Sequence, residues 1–463
     1  MGEWGILLFV MLVGVMTALI HLSGGIRAFS VWSVQKVKSK VLAQLITVGL
    51  GLFLFFDDAC NSLLRSNVLR PMTDELRISR AKLAYLVHSS TATVSLLLPI
   101  SGIGAAIAVI TGGVLADNGI NAYGGFEAFL LAVPANYYAI TCLLLVIAVA
   151  VFGLNIGQMD RAERLAVEKG ILTSGSKSVQ LDEEADETDV RKDGTVMDLL
   201  LPVGILIASI LIIGTWDGLR NLEGPLTFGG FLTSMNVVMA LVYGGVIACL
   251  VSLLRLLAKK TTFKPIISSI SSGAKTTFPS VMILFLALIT AETIKSLGVG
   301  AYLAGVFEGA IPTALFSVLF FILAALMCFS TGSTFGTLIL LIPIGVEIIA
   351  AIDPSFFIAT FGAIIAGSIF GEHSSPLSDT TILSSIGSRI HPIEHVMTQL
   401  PYALISTGVS IVGYLVLGFT NSQVVGLAAT VLLLAAVVYV LYRRQSRMQN
   451  AVLPFNEFQK ESV

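Results

Sequence analysis

Ile369-Phe-Gly-Glu-His-Ser-Ser-Pro-Leu-Ser-Asp-Thr-Thr-Ile-Leu-Ser-Ser385 puts Glu372, His373, Asp379 and seven hydroxyls into a region otherwise built of Ala, Ile, Gly and Phe. Pro376 has no N–H to donate and interrupts a helix at its centre. Ionisable groups within an apolar span are costly and generally functional. Irregular backbone survives there only where protein covers it or a cavity adjoins it. The stretch reads as a transmembrane helix broken around a polar site. The blander reading, polar residues that glue helices together, does not require a proline, two acids and a histidine at once.

The surrounding chain supports a membrane setting. Of 463 residues, 55% are hydrophobic and 12% charged, against about 25% charged in ordinary soluble domains, and the mean hydropathy is +0.91. Several apolar runs reach the ~20 residues that a bilayer requires. The fold class expected is an all-α polytopic membrane protein. A net charge of −2 without a basic patch offers nothing to nucleic acid. Cys60, Cys142, Cys249 and Cys328 are far apart in apolar runs, as small buried hydrophobes and not as a disulfide or zinc framework. Residues 4–22 have no basic leader or small-residue cleavage site, and read as a span, not a signal peptide.

Lys and Arg positions give orientation. Residues 41–64 carry Lys36, Lys38 and Lys40 on one side and Arg65, Arg70, Arg77, Arg80 and Lys82 on the other. Both flanks favour the cytoplasm, so this segment reads as a re-entrant hairpin with Asp57, Asp58, Asn61 and Ser62 near its tip, and Arg65 and Arg70 at its base. Residues 81–115 form a broken helix, interrupted at His88-Ser89-Ser90-Thr91 and at Pro99-Ile100-Ser101-Gly102. The same order recurs later: a hairpin over 312–350 around Thr331, Ser333 and Thr334, with no Lys or Arg from 301 to 388, then a broken helix over 355–388. One unit opens from the cytoplasm and the other from outside, which is the pattern of inverted repeats.

Residues 1–157 are thus expected to be the first inverted repeat (hairpin 41–69, broken helix 81–115) and 158–197 an acidic, flexible cytoplasmic linker. Residues 198–442 follow as the second repeat with two leading helices (hairpin 312–350, broken helix 355–388), and 443–463 as a cytoplasmic tail. About nine full spans and two hairpins result, with 128–153 as a single span returning inward and 265–275 lying along the surface as an amphipathic helix. The two leading helices have no counterpart before the first unit. Arg443, Arg444 and Arg447 place the C-terminus in the cytoplasm of a cell (inner) membrane protein.

The motifs Phe55-Phe-Asp-Asp-Ala-Cys-Asn-Ser62, Arg70-Pro-Met-Thr-Asp74, Ile78-Ser-Arg-Ala-Lys-Leu-Ala-Tyr85 and Gly371-Glu-His-Ser-Ser-Pro-Leu-Ser-Asp-Thr-Thr-Ile-Leu-Ser-Ser385 resemble the NhaC-type Na+/H+ antiporter family. The resemblance spans most of the chain, from about residue 4 to 442. It implies secondary transport driven by Na+ or H+ gradients, elevator-type alternating access and a homodimer in lipid. His88 and Glu372 stand where many relatives have Asp, Ser374 where they have Cys, and Thr93 where Pro is common. Those departures keep a second reading open, an Na+- or H+-coupled carrier or exchanger of a small organic solute such as an amino acid or carboxylate.

The expected cation ligands are Asp57, Asp58, Asn61, Ser62, Thr331, Ser333, Thr334, Ser378, Asp379 and Thr380, whose hard oxygens suit a small cation. Substrate or proton contacts are expected from His88, Ser89, Ser90, Thr91, Glu372, His373 and Ser374. Blander roles stand beside these: Asp57 or Asp58 as a helix cap, and His88 as a satisfied structural group. His21, His391 and His395 are expected at the cytoplasmic surface. Na+ or H+ serves as coupling ion, with no other cofactor. A membrane enzyme is disfavoured by the lack of H-E-x-x-H or G-x-S-x-G motifs, and a channel by titratable acids tied to a repeated unit.

Overall fold

The structure, a computed structural model, describes residues 2–55, 58–99, 101–118, 120, 123–173, 191–222, 231, 234–307 and 311–460. Its elements are α1 (Gly2–Leu22), α2 (Gly25–Lys36), α3 (Lys40–Phe53), α4 (Asp58–Glu75), α5 (Arg80–Ser95), α6 (Gly102–Asp117), α7 (Gly125–Ala132), α8 (Tyr137–Phe152) and α9 (Gln158–Lys169). They continue as α10 (Met197–Asn221), α11 (Val237–Ala258), α12 (Phe263–Ser296), α13 (Val299–Phe307), α14 (Phe316–Thr331) and α15 (Thr334–Ile352). The last four are α16 (Phe357–Ser374), α17 (Asp379–Ser388), α18 (Pro392–Thr420) and α19 (Gln423–Lys460). Among the described residues there is no strand, and eight helices are long and apolar enough to cross a membrane, or nine if the bent pair at α7/α8 counts as one. The chain is an all-helical, multi-pass membrane protein.

Helices restart where a side chain can cap them. Ser101 accepts from the Gly104 N–H to open α6, Ser333 from Gly336 to open α15, and Ser378 from Thr381 to open α17. The last of these follows the Pro376 break. The break after α5 falls at residues 96–101, as expected at Pro99. The expected interruption at His88–Thr91 is absent, since α5 runs unbroken through it. The Ser90 and Thr91 hydroxyls bond back to the Leu86 and Val87 carbonyls, and the helix absorbs them.

Three other expectations change. The linker does not begin at 158. α9 is amphipathic and buries Met159, Ala162, Glu163 and Ala166, and Glu163 accepts from the Ser79 N–H at 2.7 Å. Buried Lys82 faces the same carboxylate at 3.9 Å and donates to Asn155 at 2.8 Å. The acidic run within 174–190 lies outside the described residues. Residues 265–275 are no separate surface helix but the first part of α12, which continues through Pro279. The single return helix expected at 128–153 is two pieces, bent by 53° at Asn136.

Packing centres on α5 and α16, the most completely buried of the long core helices. Every residue of α5 from Ala81 to Ser95 is buried, and so is almost all of α16. α3 and α4 pack on α5, and α14 and α15 pack on α16; α4 also packs on α17, and α6 on α15. α8 and α18 close the core from the other side, while α1, α10, α11 and α12 form a separate group that touches it through α2, α6 and α15. In that group, buried Asp198 at the start of α10 holds Arg255 at 2.7 Å and also Lys259, both at the end of α11.

Small residues set the closest approach, as in membrane helix pairs generally. A Cβ built on Gly367 would lie 2.2 Å from the Phe321 carbonyl oxygen, and one on Gly371 would lie 2.6 Å from that of Ala325. Gly332, at the α14/α15 tip, has φ +69° and abuts the backbone of Leu377 and Ser378 in the α16/α17 break. Gly367→Val should therefore push α14 off α16 and cost about 1–3 kcal/mol, seen as a fall of several degrees in the unfolding temperature of the detergent-purified protein. Gly49→Ala, whose Cβ meets nothing within 4 Å, should leave that temperature unchanged or raise it slightly.

Candidate transport site

Glu372 lies in the last turn of α16, just before the break, and is buried. One carboxylate oxygen accepts from the Thr334 hydroxyl at the start of α15, and the other accepts from the Thr380 hydroxyl in the first turn of α17. The hairpin tip and the helix break therefore meet on one carboxylate. Ser378 caps α17 and places its hydroxyl 2.8 Å from that of Thr380. Asp379 is the first residue of α17 and is exposed; its carboxylate accepts from the Thr380 N–H at 2.8 Å.

A directed hydrogen-bond chain leaves Glu372. Thr380 has one hydroxyl proton, and it goes to the Glu372 carboxylate. The Thr380 oxygen then accepts from His88 Nε2 at 3.1 Å. With Nε2 protonated, neutral His88 has only a lone pair at Nδ1. That lone pair faces Gln399 Nε2 at 3.0 Å and His395 Nε2 at 2.9 Å, so both of these donate. The second Gln399 amide proton goes to the His373 carbonyl at 2.8 Å, and Gln399 Oε1 accepts from Ser89 at 3.3 Å. His88 stands 5.0 Å, ring to ring, from both His373 and His395. The Tyr138 hydroxyl lies 3.0 Å from His373 Nδ1. All three histidines are wholly buried, and His395 Nδ1, His373 Nε2 and the Ser374 hydroxyl have no partner.

His395 is thus no surface residue. It lies in the first turns of α18, covered by the core, while His391 is exposed and caps the same helix. His395 and Gln399 were both missed as site residues, although a signal exists. His395, Gln399, Tyr402, Ser406 and Ser410 follow a helical spacing on an otherwise apolar helix, and all five are buried. A polar stripe on such a helix faces protein, not lipid.

The other expected residues are distributed more widely. Thr331 is exposed and bonds the Met327 carbonyl of its own helix; Ser333 is a cap. Asp57 lies outside the described residues. Asp58 begins α4 and accepts from the Ser95 hydroxyl, which also donates to the Phe55 carbonyl at 3.0 Å. The first hairpin tip thereby meets the end of α5, much as the second meets the break after α16. Asn61 is buried without a side-chain partner, and Ser62 is 3.4 Å from Thr91. Arg65 does not sit at a hairpin base. It is wholly buried within α4 and donates from Nη2 to the Val87 carbonyl and to Thr91 Oγ1, the latter at 2.7 Å. Among the described residues no three His, Cys, Asp or Glu side chains gather as a metal-holding group; the atoms around Glu372 are hard oxygens, the type of ligand that small hard cations accept.

The chain is similar to several known proteins. A 35% identical relative, an uncharacterized protein of Haemophilus influenzae, aligns over 96% of this chain and 84% of its own length. The malate-2H(+)/Na(+)-lactate antiporter of Bacillus subtilis is 27% identical over 48% of this chain and 45% of its own. Among solved structures, the YdaH transporter of Alcanivorax borkumensis superposes with a TM-score of 0.56 at 14% identity, covering 95% of this chain and 86% of that one. The MtrF transporter of Neisseria gonorrhoeae gives 0.55 at 16% identity, over 92% and 80%. These two share the fold. The sequence model of the Na+/H+ antiporter family matches residues 104–419, and the chain belongs to this family of membrane antiporters, not to a family of enzymes.

Proposed function

We propose that this protein is a secondary active transporter of the Na+/H+ exchange type, in which Glu372 alternately carries a proton and faces a cation. The observation that carries the reading is the buried Glu372 carboxylate, held by Thr334 and Thr380 across the meeting point of two chain breaks and joined by hydrogen bonds to a buried imidazole chain. A carboxylate in such a place must be neutralised, by a proton or by a cation. Exclusive occupancy by one or the other is the minimum an antiporter needs.

The hydrogen-bond chain supplies a proton route. A proton arriving at His395 Nδ1 makes that ring an imidazolium, which passes its Nε2 proton to His88 Nδ1. His88 passes its own Nε2 proton to Thr380, and Thr380 passes its hydroxyl proton to Glu372. Each group takes one proton and gives one, His395 and His88 end as Nδ1–H tautomers that the reverse passage resets, and Glu372 ends neutral and free to release a cation. Na+ entering from the Asp379 side drives the reverse. The cation ligands of this reading are Thr334, Ser378, Asp379 and Thr380, while Thr331 and Ser333 stay at the second hairpin tip and Asp58, Asn61 and Ser62 at the first. Ser89, Ser90, Thr91, His373 and Ser374 border the proton route.

The packing supports inverted repeats over 1–157 and 198–442. The succession α3 to α6 corresponds to α14 to α17, α4 and α15 cross to the other unit's broken helix, and each hairpin tip touches the end of the central helix beside it. An elevator movement of this core against α1, α10, α11 and α12, in a homodimer with the C-terminus cytoplasmic in the inner membrane, completes the reading. The relative named for malate, lactate, Na+ and H+ favours a second reading in which an organic acid is carried too.

In proteoliposomes holding a pH-sensitive dye, an imposed Na+ gradient should move protons. Glu372→Gln should reduce that flux by on the order of 100-fold, the scale of losing a positioned proton-transfer group. Asp379→Asn should instead raise the Na+ concentration for half-maximal exchange several-fold and leave the maximal rate within about twofold. Equal activity of Glu372→Gln and wild type would remove the central carboxylate from the mechanism. His395→Gln keeps an N–H donor toward His88 but has no second ring nitrogen to load. It should slow the proton step by on the order of 100-fold at an unchanged half-saturating Na+ concentration, measured by stopped-flow pH change.

A further inference from the structure

We infer that Gln399 is the positioning residue that keeps the resting proton of His88 on Nε2, the nitrogen facing Thr380, and that the break in α16 gives it this ability. The His373 carbonyl lies in the last turn of α16. In a continuous helix it would accept from the N–H four residues on, that of Leu377. The chain leaves the helix before Pro376, and the Leu377 N–H goes to the Ser375 hydroxyl instead, at 3.2 Å. The carbonyl is thereby released, and Gln399 Nε2 donates to it at 2.8 Å.

A backbone carbonyl can only accept. It therefore fixes which end of the Gln399 amide faces it, because a flipped amide would press Oε1 against that oxygen, acceptor on acceptor. The Ser89 hydroxyl, 3.3 Å from Oε1, fits the same orientation. The second Nε2 proton then points at His88 Nδ1, 3.0 Å away, and this nitrogen must offer a lone pair. Gln399, Ser89 and His88 are all buried, so the amide has no solvent to turn toward. The other two partners of His88 impose no tautomer. Thr380 is a hydroxyl, able to direct its proton to Glu372 or to His88 Nε2. The His395 ring, with no partner at Nδ1, is able to present either an N–H or a lone pair at Nε2. Of the three, only Gln399 is tied to a group whose role cannot change.

This has a consequence for exchange. Once a proton has passed along the chain to Glu372, His88 is left protonated at Nδ1, with the Gln399 N–H facing it, donor on donor. That state lies uphill by a lost hydrogen bond, and return of the proton along the same route relieves it. Gln399 thus biases Glu372 toward giving up its proton, and so toward the cation. The bias rests on the exchange reading; the tautomer assignment rests on the hydrogen bonds alone.

The test is solid-state NMR of the full-length protein in lipid, with isotope-labelled histidine, at mildly alkaline pH and without Na+. The chain has five histidines, and the His88 signals are those that His88→Gln removes. In wild type, Nδ1, recognised by its bond to Cγ, should be bare and Nε2 protonated. Gln399→Met keeps the side-chain length but removes the donor. It should raise the ratio of Nδ1–H to Nε2–H tautomer roughly fivefold, the equilibrium worth of one hydrogen bond. Ser89→Ala should keep the wild-type tautomer, because the His373 carbonyl still holds the amide. In proteoliposomes, Gln399→Met should need roughly fivefold more Na+ for half-maximal proton release, by the same equilibrium. Wild-type His88 protonated at Nδ1 overturns the inference without any variant, and an unchanged tautomer in Gln399→Met overturns it too. A shifted tautomer with unchanged Na+ dependence overturns the bias on exchange. If Na+ moves no protons in wild type while the tautomer follows Gln399, the exchange reading falls and the tautomer assignment stands.

Discussion

A single carboxylate, buried where two interrupted helices face each other, sets the terms for the rest of this molecule. Glu372 cannot be ionised in an apolar interior without compensation, and it cannot be compensated by the α16 backbone alone. Thr334 comes from one helix start and Thr380 from another. To bring both within bonding distance, α14 must turn at Gly332 and α16 must stop before Pro376. Those two departures from regular helix must also touch, which the bare Gly332 permits. The breaks, the caps and the close glycine contacts are thus parts of one arrangement whose purpose is to hold a polar centre away from lipid.

The same requirement explains why a helix as polar as α5 is among the most buried. α5 carries Lys82, His88, Thr91 and Ser95, and all of them are covered by protein. Lipid could not accept that helix. It is acceptable only because α3, α4, α8, α9 and α18 surround it, and these helices and their connections supply partners: Asn155 and Glu163 for Lys82, His395 and Gln399 for His88, Arg65 for Thr91, and Asp58 and the Phe55 carbonyl for Ser95. Hydroxyls turned back onto their own helix satisfy what remains. Among the buried polar atoms that stay without partners are His395 Nδ1 and His373 Nε2, on the imidazoles that surround His88.

Two bodies of different character result. The core around α5 and α16 is held by polar contacts and glycine-mediated approach. The outer group of α1, α10, α11 and α12 is more uniformly apolar and is pinned at one end by Asp198 with Arg255 and Lys259. The contacts between the bodies are fewer and run mainly through α2, α6 and α15.

Much of this was legible in the residues themselves. Composition alone required a helical membrane protein, because ~20-residue apolar runs have no other stable form in a bilayer. Pro99 and Pro376 marked both core breaks, since proline acts on its own helix and needs no distant partner. The Glu372 to Thr381 motif marked the polar centre, because charge inside an apolar run is informative without a fold. What the sequence could not supply was who stands opposite. His395, 307 positions from His88, reads as a surface residue because it follows Arg389 at a helix start, and flanking charge says nothing about whether another helix covers that face. Arg65 looked like a hairpin base for the same reason, and α9 like a flexible connector because its polar composition concealed one buried face. Local chemistry determined where this chain bends and where it is polar; only the tertiary structure decided which polar groups meet, because each such meeting joins helices whose separation in the chain carries no energy of its own.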